Sequence, residues 1–120
     1  MTKVLIIDDN PEDQARMSVI LKDEGYETIT AGVGPEGLEL CRKTHPDLIT
    51  LDVVMPDMNG IEVLREFKKE FPEIPVIMCS AAGLEQVVAL ALRVGAAGYI
   101  VKPYDREMVA QSLKGHISSK

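Results

Sequence analysis

Three carboxylates in this 120-residue chain follow two strongly apolar runs. Asp8 and Asp9 come directly after residues 4–7, and Asp52 comes directly after residues 48–51. Both runs are typical of buried parallel strands, whose carboxyl ends line the ligand crevice of an open sheet where the strand order reverses. Two carboxylates about 4 Å apart repel by roughly 4 kcal/mol at an effective dielectric near 20. If the two strands are adjacent, the cluster therefore predicts a divalent cation or partial protonation.

A hydroxyl and an ammonium group follow two further apolar runs. Ser80 comes after residues 76–79, and Lys102 comes after residues 99–101. Each group alone has an ordinary explanation. Paired acids are common in turns and caps, a serine often bonds to the local backbone, and a lysine is usually solvated. Together, a carboxylate nucleophile, acids that can hold a metal, a cation and a hydroxyl donor are typical of phosphoryl transfer.

Apolar strand-like runs alternate with stretches of helical periodicity along the whole chain. This alternation predicts five βα units and a parallel sheet covered by helices on both faces, which is a doubly wound α/β sandwich. Periodicity alone does not give the strand order. The predicted strands lie near residues 3–7, 27–31, 48–51, 75–79 and 98–101.

The predicted helices carry clear start and stop signals. Asn10 is a capping residue, with Pro11 at the first helical position and Asp13 in the first turn. Asn59 and Glu62 form a capping-box pattern for the third helix. A glycine or a proline follows each of the first four helices and discourages its continuation.

Length and composition indicate one ordinary globular domain over residues 1–120. Hydrophobic residues make up 46% of the chain and charged residues 27%, without tryptophan or a run long enough to span a membrane. The first three residues lead straight into strand-like sequence, so we expect no signal peptide and a cytoplasmic location. The net charge of −6 argues against direct nucleic-acid binding. We expect Cys41 and Cys79 to be small buried hydrophobes.

The motifs resemble those of the receiver domain of two-component response regulators, and the resemblance covers the whole chain. It implies a flavodoxin-like (βα)5 three-layer sandwich with strand order 2-1-3-4-5, which makes the strands that end in acid neighbours. The residues that carry the resemblance are Asp8-Asp9, Asp52, Met55-Pro56, Gly60, Ser80-Ala81, Tyr99 and Lys102-Pro103.

The resemblance also implies separate roles for the acids. Asp52 is expected to be the phosphoacceptor, taking a phosphoryl group from a phosphohistidine as an acyl phosphate. Mg²⁺ would be bound directly by Asp9 and Asp52, through water by Asp8, and by the backbone carbonyl of Val54. Lys102 would bind a phosphoryl oxygen.

Two residues resemble the family's conformational switch. Ser80 corresponds to the hydroxyl that moves towards the phosphoryl group, and Tyr99 to the aromatic side chain that then turns inward. Such a change is a shift between two populations that differ by a few kcal/mol. The plain alternative for Tyr99 is an amphipathic strand residue.

The bond from Lys102 to Pro103 is expected to be cis by resemblance alone, and to aim Lys102.

The expected partners are a histidine kinase or phosphotransfer protein and a downstream protein target. The family's common output face is formed by helix four, strand five and helix five, and we expect Val87, Leu90 and Val94 to contribute to a docking or dimer patch, in a monomer or weak homodimer. The alternative is that these residues are packed or merely scattered. Without an effector domain after residue 120, a stand-alone regulator of the chemotaxis or phosphorelay type is expected, although a receiver excised from a longer chain would have the same sequence.

Two other functions compete with this interpretation. A metal-dependent phosphohydrolase with an aspartyl nucleophile needs a cap over its substrate, and its usual acid two residues after Asp8 is replaced by Asn10. A receiver-like domain that no longer takes phosphate is disfavoured by the complete set of acids and Lys102. We therefore expect no enzyme beyond assistance to the chain's own phosphorylation and dephosphorylation.

Overall fold

The computed structural model describes residues 2–53 and 59–117, in which five strands alternate with five helices. The strands are β1 (Lys3–Ile7), β2 (Glu27–Ala31), β3 (Leu48–Asp52), β4 (Val76–Ala81) and β5 (Gly98–Lys102). The helices are α1 (Pro11–Asp23), α2 (Gly34–Thr44), α3 (Gly60–Glu70), α4 (Glu85–Val94) and α5 (Arg106–Leu113). No helix in these two ranges is long and apolar enough to cross a membrane.

The strands form one parallel sheet in the order β2-β1-β3-β4-β5, which confirms the expected fold. The order reverses between β1 and β3, so the ends of these two strands border the crevice that this topology offers to ligands. Ile7 pairs with Leu51, Asp52 with Cys79, and Ala81 with Lys102. β1 and β3 therefore end within one residue of each other, whereas β4 and β5 extend two residues past the row of Asp52.

β4 differs from its predicted span of 75–79. It begins one residue later because Pro75 has no N–H, although the Pro75 carbonyl still accepts a hydrogen bond from Ile49 at 3.0 Å. It ends later because pairing with β5 continues to Ala81. Ser80 is therefore a paired strand residue opposite Val101, within the strand and not beyond its end.

Side-chain alternation along β1 divides the core into two layers. Leu5 and Ile7 of β1 belong to the layer packed with residues of α2 and α3, whereas Val4 and Ile6 belong to the layer packed with α1 and α5. All four side chains are fully buried, as is typical of a parallel strand covered on both faces. Burial on both faces therefore fixes the position of β1, and with it the position of the residues at its carboxyl end.

The helix starts follow the sequence signals, with one difference. The side chain of Asn10 caps α1 by accepting hydrogen bonds from the backbone of Glu12 and Asp13 at 2.9 and 3.1 Å. Asn59 caps α3 but accepts from the backbone of Ile61 at 2.8 Å, one residue earlier than the capping-box pattern implies. The N–H of Glu62 also donates to the backbone carbonyl of Asn59 at 3.0 Å, which tightens the first turn of α3.

Gly60 allows α3 to begin directly against the end of β3. Its N–H donates to the carbonyl of Val53 at 3.0 Å. A Cβ atom at position 60 would collide with the Val53 carbonyl and lie 2.8 Å from the carbonyl oxygen of Asp52. The close approach of these backbones explains why glycine occupies this position beside the crevice.

We therefore expect Gly60→Ala to lower the free energy of unfolding by about 2 kcal/mol, because backbone atoms cannot move aside as a flexible side chain can. Urea denaturation measures the change. Gly32→Ala is the matched control, since a Cβ at Gly32 meets nothing within 4 Å, and it should stay within about 0.5 kcal/mol of the parent. Equal stability of the two variants would contradict the packing argument.

Candidate functional site: an acidic crevice with one lysine

The three acids singled out in the sequence converge on one point. Asp52 is the last residue of β3, and Asp8 and Asp9 follow β1. Each of the three side chains offers a carboxylate oxygen, and these oxygens all lie within 4.8 Å of one another. Asp8 and Asp52 are 5% and 8% exposed, whereas Asp9 is open to solvent. The crevice thus joins two buried charges to a third at its mouth.

Local hydrogen bonds fix the orientation of Asp8. Its backbone N–H donates to the carbonyl of Ala31 at 3.1 Å, and its Oδ1 accepts from the N–H of Asn10 at 2.9 Å. The Gln14 amide donates at 3.1 Å to the carbonyls of both Asp8 and Ala31. Because these bonds hold the backbone and one oxygen, Oδ2 of Asp8 is left facing the crevice.

Lys102, the last residue of β5, supplies the positive charge of the site. Its Nζ lies 3.0 Å from Oδ2 of Asp8, 2.9 Å from Oδ2 of Asp13 and 3.5 Å from Oδ2 of Asp52. Burial alone would lower the pKa of Lys102, but the hydrogen bonds to Asp13 and Asp8 and the charge of Asp52 outweigh it and raise that pKa. The ammonium therefore remains charged and compensates the buried carboxylates.

Asp13 is a site residue that the sequence did not reveal. At the sequence level it is an acid in the first turn of α1, where it favours the helix dipole. In the structure its carboxylate also contacts Lys102, which is 89 residues away in the chain. One signal in the sequence was available: Asp13 lies four residues, or about one helical turn, after Asp9. This spacing places Asp13 on the side of α1 that faces the strand ends.

Ser80 and Tyr99 lie on the other side of the crevice, beside an apolar cavity of about 190 Å³. Leu84, Val88 and Leu92 form much of its opposite wall. Ser80 is buried, whereas the Tyr99 side chain is turned outward, with 48% of the residue exposed. An apolar cavity of about 150 Å³ can bind benzene, so this one has room for an aromatic ring.

The two cysteines are buried as expected. Burial raises the pKa of the Cys41 thiol to about 11, with a further contribution from Glu70. Burial likewise raises the pKa of Cys79 to about 12; Lys102 opposes this increase and the neighbouring acids reinforce it. Both thiols are therefore protonated at neutral pH, as expected of small buried hydrophobic side chains.

Three further expectations have different outcomes. The Lys102-Pro103 bond is cis, as expected. The carbonyl of Val54 and the Met55-Pro56 motif lie outside the described residues. Of the expected apolar patch on α4, Leu90 is exposed, whereas Val87 and Val94 are half-buried and pack against the core; a docking role for these residues stays a prediction. Residues seven apart lie on one face of a helix, and that face of α4 packs inward.

The donor set suits a small, hard divalent cation. Carboxylate oxygens are the ligands that Mg²⁺ prefers, and it keeps several waters when bound to proteins by a few carboxylates. The exposed position of Asp9 leaves the mouth of the crevice open to such waters. A parallel α/β sheet with this acid cluster and a lysine at the end of β5 defines a site that can bind a metal ion and an anionic group together.

Comparison with known families identifies the chain. The model of the response regulator receiver domain matches residues 4–114, so the chain belongs to the receiver domains of two-component response regulators. Domains of this family bind Mg²⁺ at an acidic pocket, and the cluster of Asp8, Asp9 and Asp52 is the corresponding pocket here.

Individual relatives are similar over nearly all of the chain. The chemotaxis protein CheY of Thermotoga maritima is 37% identical over 112 residues, covering 92% of this chain and 93% of that protein. The probable C4-dicarboxylate response regulator DctR of Bacillus subtilis is 40% identical over 114 residues, covering 93% of this chain and 50% of DctR. The solved structure of Vibrio cholerae chemotaxis protein CheY4 matches with a TM-score of 0.86 and 32% identity, covering 98% of this chain and 99% of that one.

The charge balance of the crevice leads to a stability prediction. In chelator, Lys102→Met should lower the free energy of unfolding by about 2 to 3 kcal/mol, because it leaves buried carboxylates without a counter-ion. Urea denaturation measures this effect. Lys69→Met removes an exposed lysine and serves as the control. A loss no greater than in that control would show that Lys102 does not compensate the acids.

Proposed function

We propose that this chain is a phosphorylation-activated signalling switch that works in the cytoplasm. It takes a phosphoryl group onto Asp52 from a histidine kinase or phosphotransfer protein and passes its state to a protein target. One observation carries the proposal: the carboxylate of Asp52 ends a central strand in the same crevice as two further acids and the Lys102 ammonium, 3.5 Å away.

The proposed transfer is a displacement at phosphorus. A carboxylate oxygen of Asp52 attacks the phosphorus of a phosphohistidine, the new P–O bond forms, and the P–N bond breaks. The imidazole leaves with the electron pair of that bond and takes up a proton. Lys102 lies where it can donate a hydrogen bond to an oxygen of the transferred group, whose negative charge increases the value of a charge-assisted bond.

A divalent cation fits beside these groups. Asp9 and Asp52 are proposed as direct ligands of Mg²⁺ and Asp8 as a ligand through water, with the backbone carbonyl of Val54 completing the protein's share. When bound, the ion neutralises charge on the phosphoryl oxygens. Hydrogen bonds to its backbone and to Oδ1 hold Asp8 in place.

The reaction is confined to the chain's own carboxylate. Asp52 is consumed when it is phosphorylated and restored when water hydrolyses the acyl phosphate, so the chain assists its own phosphorylation and dephosphorylation without turning over a separate substrate. We therefore classify it as a signalling protein and not as an enzyme.

The adduct itself provides the test. After incubation with acetyl phosphate and Mg²⁺, intact mass spectrometry should show one added phosphoryl group, which Asp52→Asn and an excess of chelator both abolish. Asp23→Asn, at the exposed last residue of α1, is the matched control and should form the adduct normally. An unmodified wild-type chain would contradict the proposal, and steady phosphate release from a small phosphate ester would indicate a hydrolase instead.

Ser80 and Tyr99 are proposed to transmit the modification. In the structure Ser80 and Tyr99 line the same cavity, and Tyr99 is 48% exposed. New hydrogen bonds from Ser80 to the phosphoryl oxygens would favour a population in which the ring of Tyr99 occupies the cavity. The empty space and the exposed ring support this direction of change.

The output surface is proposed to lie on α4, β5 and α5. Within the described part of the chain, this face includes the exposed side chains of Leu92, Tyr99 and Met108. Because Tyr99 belongs both to the cavity and to this surface, its movement would change the side chains that the surface exposes to a protein target. The isolated chain is proposed to be a monomer or a weak homodimer, with no direct contact to nucleic acid or membrane.

Tyrosine fluorescence can follow the proposed movement, because the chain has three tyrosines and no tryptophan. Tyr26 and Tyr104 are buried, so acrylamide quenching reports mainly on Tyr99. With beryllofluoride and Mg²⁺ the quenching constant should fall by roughly half, and Ser80→Ala should reduce the change. Tyr99→Phe provides the control that assigns the signal. Unchanged quenching in a chain that binds beryllofluoride would refute the inward movement.

A further inference from the structure

We propose that Asp13 is a positioning residue that competes with the phosphoryl group for Lys102 and thereby limits phosphorylation of Asp52. The inference rests on the proposed function and concerns its regulation. Asp13 lies outside the set of acids proposed to bind the metal. Its effect would pass through the ammonium of Lys102.

The geometry places Asp13 in direct contact with Lys102. The Asp13 carboxylate is the nearest of three acidic partners of Nζ, at 2.9 Å, compared with 3.0 Å for Asp8 and 3.5 Å for Asp52. The Lys102 side chain is only 18% exposed, so water screens this contact less than it screens an ion pair on the surface. Asp13 therefore contributes substantially to the position of the ammonium.

Backbone hydrogen bonds keep Asp13 next to Lys102. The N–H of Asp13 donates to the capping side chain of Asn10 at 3.1 Å, and its carbonyl accepts from the hydroxyl of Tyr104 at 3.0 Å. Tyr104 is buried and lies two residues after Lys102. The first turn of α1 is thus tied to the segment that carries the lysine, which keeps the side chains of Asp13 and Lys102 within reach of each other.

Competition follows from the limited number of donors. An ammonium group has three N–H donors; two of them donate to Asp8 and Asp13, and Nζ lies 3.5 Å from Asp52. A phosphoryl group on Asp52 would draw the ammonium towards its own oxygens, so the hydrogen bond to Asp8 or to Asp13 must lengthen. The Asp13 side chain is the most exposed of the three, at 32%, and can therefore be resolvated at the least cost.

The direction of the effect follows from charge. Before phosphorylation, the carboxylate of Asp13 holds the ammonium of Lys102, and this contact weakens when the ammonium turns to a phosphoryl oxygen on Asp52. Without that carboxylate, Lys102 is free to turn to the phosphoryl group. The loss of Asp13 should therefore speed phosphorylation and strengthen the binding of a phosphoryl mimic.

The test compares Asp13→Asn with the parent chain at saturating Mg²⁺. We expect the rate of adduct formation from acetyl phosphate and the affinity for beryllofluoride both to rise by roughly fivefold, the range of a partly exposed ion pair. Glu12→Gln is the matched control. It removes one acid from the same turn of α1, and its exposed side chain makes no ion pair within the described ranges.

A double-mutant cycle separates a positioning role from a structural or general electrostatic one. In a Lys102→Met background, Asp13→Asn should leave the affinity for beryllofluoride unchanged, because the proposed effect passes through the ammonium. A similar gain in Glu12→Gln, a persistent gain in the Lys102→Met background, or slower phosphorylation in Asp13→Asn would each overturn the inference. A wild-type chain that forms no adduct would instead refute the proposed function itself.

Discussion

The site depends on the position of one charge, the ammonium of Lys102, among carboxylates that the sheet partly buries. Asp8 follows β1 and Asp52 ends β3, and the two acids are kept close together because these strands are paired and covered on both faces. Such a pair is costly without compensation. Lys102 supplies the compensating positive charge from the end of β5. The stability of the buried acids therefore depends on the strand register that places this lysine beside them.

The two sides of the crevice differ in how firmly they are packed. Towards β1 and β3 the side chains are fully buried, and Asp8 is held by hydrogen bonds from Asn10 and Gln14. Towards α4 there is an apolar cavity, and one of the residues that line it is the exposed Tyr99. A firm acidic side keeps the groups of the reaction in place, whereas the loosely packed side can adopt a second arrangement at a cost of a few kcal/mol.

Much of the architecture could be predicted locally. Strand periodicity, the cap at Asn10 and the acids at the strand ends are all legible within short windows of sequence, because side-chain period and capping depend on near neighbours. The strand order came from the resemblance to a family, since periodicity does not encode which strands pair. The span of β4 was misplaced because its length depends on pairing with β5 up to Lys102.

The sequence by itself determined the alternation of strands and helices, the separation of the core into two layers and the presence of Asp8, Asp9 and Asp52 at strand ends. Only the tertiary structure decided that Asp13 contacts Lys102, that Val87 and Val94 pack inward, and that a cavity remains beside Tyr99. The physical reason is range. Periodicity and capping act within a turn or a strand, whereas these features depend on how elements far apart in the chain approach one another.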